Sequence, residues 1–218
     1  MSGRTLHPLP LRVWHWANTA LIVLLMITGV RLRAPGLHLF FDYRTAVLVH
    51  KVTGFVMAAS FIFWLIYSIV CGSLRKYYVV RRRDLVGFPA QALYYGFAVF
   101  RGGRNPFPGT AEEKFNPLQK FAYLSVMLVF TPLIVVTGIL FSDILRFHDV
   151  IAFIGGLRIL DAVHLIAAYI FLDYLIIHIY MSTMGATPLD HIKEMITGGH
   201  GEEPEMGEER EAGEIRTE

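Results

Sequence analysis

The chain has 218 residues, of which 54% are hydrophobic and 17% charged, against about 45–50% and about 25% in soluble domains. Mean hydropathy is +0.47, which all but excludes an ordinary soluble globule, and a net charge of +2 gives no footing for nucleic-acid binding. The single cysteine, Cys71, excludes an intrachain disulfide, a protein-held iron–sulfur cluster and the C-x-x-C-H attachment of a c-type haem.

Four long apolar stretches follow in chain order, at about 13–32, 46–71, 118–141 and 159–184. Each is long enough to cross roughly 30 Å of hydrocarbon at about 1.5 Å per residue. The stretches are continuous rather than alternating, so they read as helices and not as barrel strands. The first is too long for a cleavable signal, and it opens on Trp14-His15-Trp16 where a basic n-region would stand. The expected fold is therefore all-α: an integral membrane four-helix bundle over residues 1–197, with an interfacial cytoplasmic segment.

Four spans put both termini on one side. That side carries Arg4, Arg12, Arg75, Lys76, Arg81, Arg82, Arg83, Arg101, Arg104, Lys114, Lys120, Lys193, Arg210 and Arg216, and the other carries Arg31, Arg33, Arg44, Lys51, Arg146 and Arg158. The basic excess marks the cytoplasmic face. The expectation is a multi-pass protein of the bacterial cytoplasmic (inner) membrane with both termini inside. Within 72–114, Tyr77, Tyr78, Val79, Val80, Leu93, Tyr94, Tyr95, Phe97 and Phe100 interleave with arginines, a mixture suited to a helix lying in the headgroup layer. Residues 198–218 are acidic and poor in hydrophobics, as in a disordered tail.

Four of the nine histidines fall within spans: His15, His50, His164 and His178. An ionisable side chain inside a membrane is costly and marks function. His164 and His178 are 14 residues apart, which returns the helix to within about 40° of one face over roughly 21 Å of rise. Span direction makes His15 and His178 inner, and His50 and His164 outer. Depth then pairs His15 with His178 and His50 with His164. Two imidazoles facing each other at one level suit a haem iron with two axial ligands. Zinc fits less well, since about four ligands must converge on one point. Gly54 follows His50 by one turn, and Gly29 lies 14 residues after His15. Both could make room for a macrocycle, though a glycine in a span is also a packing site.

At these residues the chain resembles a known family. The carriers are Leu11-Arg12-Val13-Trp14-His15-Trp16-Ala17-Asn18, Thr28-Gly29, His50-Lys51-Val52-Thr53-Gly54, Phe115-Asn116-Pro117-Leu118-Gln119-Lys120 and the His164/His178 pair. The family is the di-haem cytochrome b subunit of membrane-bound respiratory oxidoreductases, which includes the formate dehydrogenase γ subunit, thiosulfate reductase cytochrome b and, more widely, [NiFe]-hydrogenase cytochrome b. The resemblance implies two haem b groups and a quinone, menaquinone or ubiquinone. It implies as partners an iron–sulfur electron-transfer subunit and a catalytic subunit, met at the outer loops 31–45 and 142–158. It also implies a quinone site of Asn116, Gln119 and His178, although Leu118 stands where the formate dehydrogenase members have a glycine. Asn116 reads independently as a helix N-cap followed by proline at N1.

Arg12, Lys51 and Arg158 lie near the ligand levels and could pair haem propionates or anchor helix ends. Pro132 would kink the third span. No fingerprint for hydrolysis, group transfer or nucleotide binding is present, so the expected role is electron transfer. Two other readings stay open: a stand-alone di-haem cytochrome b acting on quinone, and a haem-free membrane anchor or transporter.

Overall fold

A computed structural model describes residues 8–37, 40–72, 74, 79–107, 116–184 and 187–198. His7, His38, His200, Arg75, Lys76, Tyr77, Tyr78, Lys114, Phe115 and the acidic stretch 199–218 lie outside the described residues. Among the described residues all regular structure is helical: α1 (Leu9–Arg33), α2 (Tyr43–Val70), α3 (Arg82–Leu93), α4 (Pro117–Ser125), α5 (Thr131–Ser142), α6 (His148–Phe153), α7 (Leu157–Ser182) and α8 (Asp190–Thr197). A π turn at Val126–Phe130 joins α4 to α5 as one run, Pro117–Ser142. That run, α1, α2 and α7 are the four helices long and apolar enough to cross a membrane. They begin one to four residues before the expected stretches, because helices start at caps rather than at the first apolar residue. The Asp42 carboxylate, for example, accepts from Thr45 N at 3.0 Å and opens α2 three residues ahead of Ala46.

The spans are turned inside out relative to a soluble protein. Thr28, Thr53, Ser68, Thr131 and Thr137 are buried, whereas Ile66, Val70, Ile166, Ile176 and Ile177 are exposed. Where lipid is the solvent, apolar surface has no reason to hide, and small polar residues join helices.

The chain divides into two compact units. One comprises residues 1–19 with 177–218. In it the Arg12 guanidinium donates to the Ile196 carbonyl and the Trp16 indole to the Met195 carbonyl at 3.2 Å. Both are last-turn carbonyls of α8, which have no intrahelical partner and form the negative end of its dipole. The other unit comprises residues 20–176. In it α2 packs along α5, and the Lys51 ammonium donates to the Ser142 carbonyl at 2.7 Å. The buried Arg31 closes the following loop by donating to the carbonyls of Pro35 and Phe41. A cluster of Leu140, Ile151 and Leu160 anchors α6, and the turn from α6 into α7 runs through Gly155 and Gly156 at φ 105° and 87°, a region that favours glycine.

Also in this unit, α3 packs on α4. Its buried face is polar, with Asp84, Gly87 and Gln91, while Leu85, Val86 and Leu93 are exposed. Gly87 permits the approach: a Cβ there would stand 2.6 Å from the Phe107 ring and 3.1 Å from Pro117. Pro132 lies just after the π turn. Lacking an N–H, it cannot serve the carbonyl four residues back, and its ring would collide there in a straight helix. The π turn at Val126–Phe130 relieves that contact, and the Thr131 hydroxyl takes the Val126 carbonyl at 2.7 Å.

Candidate functional site: two histidine pairs

Within the unit of residues 1–19 and 177–218, His15 near the start of α1 meets His178 near the end of α7. Their ring centroids are 6.0 Å apart and their planes inclined at 51°. Trp16 stands edge-on to the His15 ring at 5.2 Å. Both histidines are half-buried.

Within the unit of residues 20–176, His50 on α2 meets His164 on α7, with ring centroids 6.4 Å apart and planes inclined at 69°. Each ring has a threonine beside it. Thr28 Oγ1 lies 2.9 Å from His50 Nδ1, and Thr137 Oγ1 lies 2.7 Å from His164 Nδ1. Each threonine precedes a glycine. A methyl group built on Gly29 would touch His50 Cε1 at 3.5 Å, and one on Gly138 would touch His164 Cε1 at 3.6 Å. Phe141 stands edge-on to His164 at 5.6 Å. A methyl group on Gly54 would meet no atom of the described residues within 4 Å outside its own stretch of helix, so space opens on α2 one turn beyond His50.

Two imidazoles bound in line to one metal, at about 2.0–2.1 Å per bond with the depth of both rings added, have centroids about 6 Å apart. Both pairs have that spacing. Two facing imidazoles in apolar surroundings suit a haem iron as a donor set. Among the described residues no three histidine, cysteine, aspartate or glutamate side chains converge, so the histidines meet in twos. The residues present fit a bis-histidine haem at each pair.

Asn116 and Gln119 are engaged with each other. The Asn116 carboxamide oxygen accepts from Gln119 N at 2.9 Å, and the Gln119 carboxamide oxygen accepts from Asn116 N at 3.2 Å. This capping box opens α4, with Pro117 at N1. The Asn116 amide also donates to the Tyr95 hydroxyl at 3.1 Å. Burial raises the pKa of Tyr95, which stays a neutral phenol. Gln91 Nε2 donates to Asn105 Oδ1 at 3.1 Å, and Lys120 pairs with Asp84 at 2.8 Å. A polar layer thus joins α3 to the start of the third span.

Of the cations flagged from sequence, Arg12 and Lys51 hold helix-end carbonyls. Sequence reasoning placed Tyr95 only within the interfacial segment, and it passed over Thr137, Gly138 and the Asp84–Lys120 pair. A signal for Thr137 and Gly138 was present: within the spans Thr-Gly occurs at 28–29, 53–54 and 137–138, once in each of the first three.

A family model described as prokaryotic cytochrome b561 matches residues 6–198. The chain is also 33% identical over 189 residues to a protein of Escherichia coli strain K12 described as putative cytochrome YdhU. The matched stretch covers 87% of this chain and 71% of that one.

Proposed function

The chain belongs to the prokaryotic cytochrome b561 family, and from that premise we propose that it is a di-haem cytochrome b carrying electrons between an iron–sulfur partner subunit and a membrane quinone. The family establishes a multi-pass membrane cytochrome with b-type haem and a role in electron transfer. The observation that carries the di-haem reading is the pair of centroid distances, 6.0 and 6.4 Å. His15 and His178 would hold one iron, and His50 and His164 the other. When bound, b-type haem supplies reversible one-electron exchange.

The chain's own contribution is ligation, orientation and exclusion of water. Apolar spans shield the imidazoles from water, and an imidazole ligates a metal in its neutral form. Quinone reduction also needs groups that bind a carbonyl near a proton supply. Asn116 can bind the carbonyl, because its amide carries two hydrogens and Tyr95 takes only one. Gln119 supports it through the capping box. The basic run Arg81–Arg83 argues that this end of the third span is cytoplasmic.

A redox titration of the purified protein, followed at the b-type visible bands with haem counted per chain, tests the reading. Two haems per chain are expected, and one or none overturns it. Co-purification from native membranes tests the partner: an iron–sulfur protein should accompany the chain.

A further inference from the structure

We infer that Thr28 and Thr137 are matched positioning residues, each fixing through its hydroxyl oxygen the tautomer of one member of the His50–His164 pair. The inference rests on the reading that this pair holds an iron.

The argument is proton accounting. A hydroxyl has one hydrogen to give. Thr28 Oγ1 lies 2.7 Å from the Leu24 carbonyl and 3.2 Å from that of Leu25. Thr137 Oγ1 lies 2.8 Å from the Leu133 carbonyl and 3.1 Å from that of Ile134. A carbonyl oxygen can only accept, so a carbonyl of its own helix takes each hydroxyl hydrogen once the facing Nδ1 carries one, as an iron held on Nε2 requires; the Leu25 carbonyl is a second acceptor for the His50 ring. Each threonine oxygen then meets its histidine as an acceptor, and the hydrogen on that line belongs to Nδ1 of the ring. In a neutral imidazole a protonated Nδ1 leaves the lone pair on Nε2. Both rings are thus held in the tautomer that ligates through Nε2.

The arrangement occurs twice with the same parts. Thr28 on α1 serves His50 on α2, and Thr137 on α5 serves His164 on α7. In both cases the next residue is a glycine against the Cε1 edge of the same ring. Thr28 is wholly buried and Thr137 is 5% exposed, so water does not compete for either oxygen. An acceptor on Nδ1–H also makes the imidazole a stronger donor to a metal, which favours ferric over ferrous iron.

The test is a redox titration of the haem-loaded full chain carrying T28V, T137V, T28S or T137S. Valine keeps the shape and removes the oxygen. Each valine variant should raise the midpoint potential of one haem and leave the other unmoved. A hydrogen bond of about 1 kcal/mol gives about a fivefold change in the ratio of reduced to oxidised haem at a fixed potential, or about 40 mV at 59 mV per tenfold for one electron. Both valine variants should move the same haem, and both serine variants should titrate like the parent. No shift with valine, equal shifts with serine and valine, or shifts in different haems would each overturn the inference. If valine and alanine both prevent accumulation at a position where serine does not, the hydroxyl serves the fold, and the inference also fails. Failure of the underlying reading looks different: the parent chain would itself lack one or both haems.

Discussion

Lys120 and Asp84 close an ion pair at 2.8 Å with side chains only 9% and 6% exposed, and the pair joins the polar face of α3 to the first turn of the third span. Burial by itself raises the Asp84 pKa. The Lys120 hydrogen bond, the Arg81 backbone N–H and the charges of Lys120 and Arg83 outweigh it, so the carboxyl sits below its ordinary 3.8. Removing one partner strands a buried charge, so Asp84→Asn or Lys120→Met should each cost about 3–5 kcal/mol, and the double variant less than the sum. The lowered folded value makes the contribution complete above the unfolded value, and it is lost as pH falls through the folded one. Thermal denaturation in detergent should show this acid slope in the parent and a weaker one in Asp84→Asn.

Four single His→Ala variants should sort into two classes. His15→Ala and His178→Ala should remove one haem, and His50→Ala and His164→Ala the other. Haem content and redox waves measure this. Loss of the same wave from His15→Ala and His164→Ala would break the pairing.

Asn116 caps α4, and substitution can separate that role from the quinone contact proposed for it. Asn116→Ala loses the cap and should cost about 0.5–2 kcal/mol of stability. Asn116→Asp keeps the acceptor for Gln119 N but loses the amide hydrogens that Tyr95 and a quinone carbonyl would take. It should keep near-parental thermal stability and both haems, and turn over quinol several-fold more slowly. Parental turnover in Asn116→Asp would leave Asn116 a helix cap only.

Gly54→Leu tests the open space on α2. Outside its own stretch of helix, no atom of the described residues lies within 4 Å of a Cβ built there, so the variant should insert and fold. If a macrocycle occupies that space, the haem of the His50–His164 pair should fall below about half occupancy, while the other remains. Full occupancy of both would assign the space to lipid.

The spans and both histidine pairs were legible because hydropathy and helical periodicity act over many residues. Span direction and depth sufficed to bring His50 opposite His164. Tyr95 was not legible as the partner of Asn116, since the contact spans 21 positions and depends on how α3 packs. Asp84 and Lys120 read as surface charges in any single-residue view, and only the packed face of α3 makes them buried. The Asn116–Gln119 capping box was half visible: the cap and the following proline stood in the sequence, whereas the reciprocal bond from Gln119 needed coordinates.

The π turn at Val126–Phe130 has a consequence for which lengths of the third span are allowed. An α-helix rotates about 100° with each residue, so a residue added or lost would swing Thr137 off His164 while Asn116 and Lys120 stayed put. A π turn holds one residue more than the α turn it replaces, which makes it the one place in the span where a deletion is absorbed without rotating either end. Deleting a single residue of 126–130 together with Pro132→Ala, which removes the ring that would collide with a straightened helix, should leave Thr137 on His164. The same deletion placed between Thr131 and Thr137 should not. The span thus tolerates a change of length at a point fixed by its proline.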